Sequence, residues 1–209
     1  MRKAIEKNAK LLALFAIACT AVVGTVHLLT KERIVKQEQQ QLINTLNSLI
    51  PPEKHDNEMT ESCFTLSDEL LGNGMHKAYL ATKNVQGVAA ALTATAPDGY
   101  NGNIELLVAI NLDGSVSGVR IIKHQETPGL GDKIELRKSD WILSFNGKKI
   151  LGEKDGRWAV AKDGGMFDQF TGATITPRAV VKAVHSAASY FNQHKTQLFA
   201  RSANCQGDK

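Results

Sequence analysis

The chain has 209 residues with 25 basic and 21 acidic side chains, which suffices for one folded domain plus an anchor and not for two full domains. Its formal charge of +4 is local: Arg2, Lys3, Lys7 and Lys10 stand against Glu6 in the first ten residues, leaving 21 basic and 20 acidic groups over the remaining 199. A nucleic-acid binder would carry a basic stripe on its folded part, so that class is excluded. Six histidines and three cysteines show no CxxC, HxH or HxxxH spacing, and no metal site is read from them.

Behind this basic head (residues 1–10), residues 11–29 read LLALFAIACTAVVGTVHLL, nineteen positions without a formal charge between Lys10 and Lys31. At ~1.5 Å per residue they reach roughly 28 Å, the thickness of a bilayer's hydrocarbon core. A cleaved signal peptide would have a shorter apolar run ending in a small-residue site. Ala16-Ile17-Ala18-Cys19 faintly resembles a lipoprotein signal, but apolar residues continue behind the cysteine. An uncleaved single transmembrane span is therefore expected. Four basic residues precede it, and Lys31, Arg33 and Lys36 follow, a count that leans toward a cytoplasmic N-terminus and an external main domain.

Residues 30–75 are expected to form a helical stalk and spacer. Ile34, Val35, Leu42, Ile43, Leu46 and Leu49 give partial helical periodicity that Pro51-Pro52 stops. That helix is a stalk, a partner-binding helix or an amphipathic helix packed on its own domain. Residues 51–75 are polar and turn-rich and are expected to wrap the surface.

A folded domain is expected over residues 76–200, followed by a tail over 201–209. Lys77 to Ala96 suggests two strands with a turn near Asn84. ELLVAINL and SVSGVRII flank Asp113-Gly114, a dipeptide favoured in tight hairpins. Further turn signals stand at Asn146-Gly147, Asp155-Gly156 and Gly164-Gly165. From Pro177 to about Phe199 the pattern turns helical, with Thr176 as expected N-cap and Pro177 in the first turn. Strands followed by a terminal helix imply an α+β domain with an antiparallel sheet and packed helices. Cys63 and Cys205 either form a disulfide in an oxidising compartment or remain two thiols.

Two segments can carry chemistry. Asp168-Gln169-Phe170-Thr171-Gly172-Ala173-Thr174 is a loop of small residues leading into a helix N-terminus, where free N–H groups and the helix dipole favour a phosphate. Composition alone favours an unliganded Thr-rich capping turn, as most helices begin. His124-Gln125-Glu126-Thr127-Pro128-Gly129-Leu130-Gly131-Asp132-Lys133 combines a turn with glycines that allow close approach to a flat ligand, or is an ordinary strand-exit turn. It lacks the spacing of a Walker loop, and no GxGxxG is present.

The D-x-x-T-G-A-T run at 168–174 resembles the flavinylation motif of the FMN-binding domain family, and E-T-P-G-L-G at 126–131 resembles that family's second signature. With one spanning helix and a similar length, the whole chain is similar to the RnfG family of the Rnf (also called Rsx) electron transport complexes. The corresponding flavin-bearing component of the sodium-translocating NADH:quinone reductase shares the domain but is usually longer. The resemblance implies one FMN bound covalently to Thr174 through its phosphate, attached by a separate transferase that uses FAD. Asp168 and Gly172 would belong to that transferase's recognition sequence. Glu126, Thr127, Leu130, Gly131, Thr171, Gly172 and Ala173 would border the cofactor. It further implies an electron carrier of the bacterial inner membrane, with its main domain on the periplasmic side and other Rnf/Rsx subunits as partners, and with no catalytic residue of its own. Trp141, Trp158 and Phe170 would either pack on the flavin or lie in the core, and Lys133 or Lys162 would stabilise reduced flavin. An unmodified periplasmic scaffold, or a binding module without flavin, are the competing readings.

Overall fold

A computed structural model describes residues 2–152 and 155–205; the end of the expected tail, residues 206–209, lies outside the described residues. Helix α1 runs from Arg2 to Leu49. The chain divides into two compact units, residues 1–44 and residues 45–209. In the first unit the helix is long and apolar enough to cross a membrane, with a most apolar window of mean hydropathy 2.2, none of it buried. Leu11, Leu12, Phe15, Ile17, Val22, Val23 and Leu29 are all exposed, so the apolar surface runs around the whole cylinder. Such a surface suits lipid rather than one buried stripe. The Thr25 and Thr30 hydroxyls donate to carbonyls one turn back, to Ala21 (2.7 Å) and Val26 (2.8 Å), so neither needs an outside partner.

The second unit is built on a five-stranded antiparallel meander in sequence order: β1 (Cys63–Leu66), β2 (His76–Lys83), β3 (Gln86–Gly99), β4 (Gly102–Asn111) and β5 (Val116–Lys123). The β2–β3 connection is the tight turn expected near Asn84, with Asn84 and Val85 both at positive φ. The β4–β5 connection turns at Asp113-Gly114: Gly114 has φ +85°, and the Asp113 carboxylate accepts from Ser115 N (3.0 Å). Helix α2 (Ile175–Ala200) follows the strands, completing the α+β architecture.

The central strands are buried on both faces, so their sequence reads as continuous apolar runs, Ala89 to Leu92 in β3 and Leu106 to Ile110 in β4. On one face Ala90, Leu92, Leu106, Val108 and Ile110 form a core with Val180, Val184, Ala187, Ala188 and Phe191 of α2. These α2 positions recur at three- and four-residue steps, the stripe a sheet-packed helix needs. The last turn of α1 belongs to this unit as well. Leu46, Leu49 and Ile50 are buried, the Leu49 carbonyl accepts from Ser117 Oγ (2.6 Å), and the Leu49 side chain lies over Gly118 of β5. Of the three readings of the post-span helix, packing on its own domain holds for its C-terminal end.

Residues 51–75 differ from the surface wrap expected of them. They contain β1 and place Met59, Cys63, Phe64, Leu66 and Leu71 in the interior. Their polar composition hid a four-residue strand whose apolar partners are distant in sequence. Cys63 and Cys205 are joined in a disulfide. The C-terminal segment also hydrogen-bonds to β1: Asn204 N and Cys205 N donate to Cys63 O at 2.9 and 3.1 Å, and Thr65 N donates to Asn204 Oδ1 at 2.9 Å.

Candidate functional site

Between β5 and α2 the chain makes only short 3-10 turns, at Gly131–Ile134, Asp140–Phe145 and Ala161–Asp163, among the described residues. The two chemistry-bearing segments are the ends of this stretch, and the fold brings them together. They bound one cavity of about 240 Å³, lined by Glu126, Thr127, Leu130, Gly131, Gly172, Ala173, Thr174 and Thr176, with Tyr100 and Ile175 at its sides.

Glu126 organises the floor. Its side chain is buried and accepts three donors from two other segments, the β3–β4 tip and the first turn of α2. Asn101 N donates to Oε1 (3.0 Å), Tyr100 N donates to Oε2 (3.3 Å), and the buried Thr176 hydroxyl also donates to Oε2. Three donors and no acceptor are the complement of an ionised carboxylate. The backbone N–H of Glu126 donates to His124 Nδ1 (3.0 Å), which fixes the remaining ring proton on Nε2, where it meets Glu135 Oε1 at 2.8 Å. Arg137 donates to the same Glu135 carboxylate, and this bond is the main reason its pKa falls from 4.5 to about 2.

The 126–131 loop is closed by its own backbone. Leu130 N and Gly131 N both donate to Thr127 O (3.2 and 3.0 Å), and Gly129 N donates to Asp132 Oδ1 (2.8 Å). Gly131 is required for space: a Cβ there would stand 2.9 Å from Thr176 Oγ1 and 3.0 Å from Glu126 Cβ. Leu130 is left 43% exposed, facing Gly172 of the second segment.

The second segment is a β-turn over Phe170–Ala173, closed by Ala173 N donating to Phe170 O (3.1 Å), with Gly172 at φ +81°. Positive φ at the third turn position is the glycine-favouring geometry. Phe170 anchors the turn in the core, and Trp141 Nε1 donates to Asp168 O (2.7 Å). Asp168 and Thr171 are exposed and lie outside the cavity lining. Trp158 and Phe170 lie in the core, the partly buried Trp141 packs edge-on against Phe170, and none of the three lines the cavity. Neither Lys133 nor Lys162 lines the cavity, and among the described residues no lysine or arginine does.

The helix start differs by two residues from the expectation. Thr174, not Thr176, is the N-cap of α2, and Thr176 is inside the first turn with its hydroxyl committed to Glu126. A buried carboxylate fifty residues away outcompetes the local backbone as that hydroxyl's partner. Thr174 has φ −81°, ψ −27° and makes no side-chain capping bond, so its hydroxyl stays available at the cavity wall. The N–H groups of Ile175 and Thr176 have no intrahelical acceptor, and Pro177 has none to satisfy. This end of the cavity therefore suits a phosphate ester, while Leu130, Ala173, Ile175 and Tyr100 supply apolar walls for a flat ring. Tyr100, Asn101 and Ile175 were missed by sequence reasoning. The one signal was a tyrosine between glycines at the tip linking β3 and β4.

The FMN-binding domain model matches residues 99–189, and a model for the RnfG N-terminal region matches residues 1–49. The first match spans the whole cavity lining, from Tyr100 to Thr176. Among curated relatives, the G subunit of the ion-translocating oxidoreductase complex of Shewanella piezotolerans is 55% identical over 210 residues, covering 100% of this chain and 99% of its own. The same subunit from Vibrio atlanticus is 53% identical with 100% of both chains covered, and that from Vibrio cholerae is 51% identical over 99% of this chain and 100% of its own.

Proposed function

Since the chain belongs to the RnfG family, the G subunits of ion-translocating oxidoreductase complexes, we propose that it is a single-pass membrane flavoprotein relaying electrons within such a complex through one FMN joined to Thr174 by a phosphoester bond. The observation that carries the covalent assignment is the position of the Thr174 hydroxyl. It makes no capping bond, stands at a helix N-terminus and faces a cavity that both signature segments line. End-to-end coverage of the relatives favours this reading over the flavin-bearing component of a sodium-translocating NADH:quinone reductase.

A bound flavin supplies one- and two-electron chemistry that no side chain here provides. The chain's own residues hold and orient it. The free amides of Ile175 and Thr176 and the α2 dipole would favour its phosphate, and Leu130, Ile175 and Tyr100 would border its ring. Among the described residues, Thr174 has no histidine, lysine or carboxylate bonded to its hydroxyl to act as a base. Attachment therefore falls to an external FAD-dependent transferase. The Thr174 oxygen bonds to the flavin-side phosphorus of FAD, its proton passes to the transferase, and AMP leaves. The exposed Asp168 and Gly172 are available for recognition by that enzyme.

The domain is assigned to the periplasmic side of a bacterial inner membrane, beside the other subunits of the complex. The basic head and the Cys63–Cys205 disulfide support this, because disulfides persist in oxidising compartments. The decisive experiment is intact mass and in-gel fluorescence of protein purified from a host with an active transferase. The expected result is the sequence mass plus one FMN less water, lost in Thr174→Ala and kept in Thr171→Ala. Bare sequence mass in the wild type would overturn the covalent reading. A protease-accessible tag at Lys209 on the periplasmic side supports the topology, and a tag protected there would reverse it.

A further inference from the structure

We propose that Glu126 is a positioning residue with two effects: it locks three segments into a preformed pocket, and its carboxylate lowers the reduction potential of the flavin held there. The inference rests on the reading of this cavity as the FMN site. The first effect follows from connectivity. The tip between β3 and β4, the 126–131 loop and the first turn of α2 are far apart in sequence. They converge on one buried carboxylate through Tyr100 N, Asn101 N and Thr176 Oγ1. A second bond between the same segments, Asn101 Nδ2 donating to Thr127 Oγ1 (3.3 Å), holds the tip to the loop. The pocket is thus assembled by the chain itself, before any cofactor is added.

The second effect follows from charge. Glu126 lines the cavity, and among the described residues no lysine or arginine lines it to neutralise the carboxylate. Its three partners are dipoles, which stabilise a negative charge without cancelling its field at the ring. Reduction adds electrons to the isoalloxazine, and a buried like charge opposes that in a low-dielectric site. The α2 N-terminus, whose first turn also carries Thr176, offsets part of this field as a partial charge and leaves the carboxylate's full charge uncancelled. Glu126 therefore sets a lower potential than the same scaffold with a neutral residue.

Two variants separate the effects. Glu126→Gln keeps the shape and removes the charge; Thr176→Val removes one arm of the lock and keeps the charge. With FMN confirmed on each by intact mass, spectroelectrochemical titration should show Glu126→Gln raised by at least a tenfold change in the reduction equilibrium. That is about 30 mV for a two-electron couple. Thr176→Val should show no such rise. An unchanged or lowered potential in flavin-bearing Glu126→Gln overturns the charge effect, as does an equal rise in both variants, which would mark mere loosening. The lock is read without flavin, by hydrogen exchange of full-length Thr174→Ala in detergent. Slow exchange at Tyr100 and Asn101 amides supports a preformed pocket, and exchange at the rate of a free loop overturns it, whether or not Glu126→Gln folds. Absence of flavin from the wild type would instead defeat the underlying reading.

Discussion

Thr176, in the first turn of α2, donates its hydroxyl to the carboxylate of Glu126, which lies fifty positions earlier at the exit of β5. Both side chains are buried, at 1% and 4% exposure, so neither end of this bond has water as a substitute. Through it the two signature segments act as one site rather than two loops.

The bond sets a stability prediction. Thr176→Val keeps the side-chain shape and leaves a buried carboxylate oxygen with one donor fewer, a loss of about 1–3 kcal/mol. Chemical denaturation of the Thr174→Ala background, where no cofactor contributes, should show a lower midpoint at unchanged slope. Thr176→Ser, which keeps the hydroxyl, should recover most of the loss.

Two glycines should fail for different reasons. Gly172→Ala meets only Leu130 Cδ2 at 3.7 Å, so its cost is conformational, about 1–2 kcal/mol for a left-handed alanine. Gly131→Ala has an ordinary φ but forces a Cβ between Glu126 and Thr176, an overpacking cost of about 1–3 kcal/mol. Flavin content by in-gel fluorescence should fall in both, because Gly172 shapes the acceptor turn and Gly131 shapes the floor. Gly131→Ala alone should also speed exchange at Tyr100 and Asn101, since only it disturbs the carboxylate that holds them.

Acid should weaken the domain over a defined window. The Arg137 hydrogen bond, aided by His124, holds Glu135 down at about 2 from 4.5, and Arg157 and Arg178 lower Asp155 and Asp163 in the same way. A carboxylate with a depressed folded pKa stabilises the fold above its unfolded pKa and loses that contribution as pH falls through the folded one. For Glu135, stability should therefore decline from about pH 4.5 to about pH 2. Glu135→Gln should flatten part of that decline, measured as denaturation midpoint against pH. A Glu135→Gln curve parallel to wild type would remove Glu135 from the account.

Much of this architecture was legible in the sequence because its signals are local. The nineteen-residue apolar run, the turns at Asn84 and Asp113-Gly114 and the stripe Val180, Val184, Ala188, Phe191 each announce an element within a few residues. What was not legible depends on partners far away. Strand β1 is four residues long and is stabilised by β2 and the C-terminal segment. Thr176 reads as a cap because its competitor, Glu126, is invisible locally. The tip at Tyr100 and Asn101, of which Tyr100 lines the cavity, carries no motif and is bonded to the site through that same carboxylate and the neighbouring Thr127.

The Cys63–Cys205 disulfide gives a prediction that bears on both stability and compartment. It spans 142 positions and ties the segment after α2 to β1, an edge strand of the sheet. Closing so long a loop restricts the unfolded chain strongly, and removing such a bridge costs about 2–5 kcal/mol. Cys63→Ser with Cys205→Ser should lower the unfolding free energy by that amount, read from the shifted denaturation midpoint, while leaving FMN attached, because neither cysteine lines the cavity. The bridge should also report location. Thiol trapping of the membrane-inserted chain should find Cys63 and Cys205 blocked to alkylation until reductant is added, whereas a form retained in the cytoplasm should be alkylated at once, since glutathione keeps such thiols reduced. Free, reactive Cys63 in the inserted protein would argue against an oxidising compartment and against the periplasmic assignment with it.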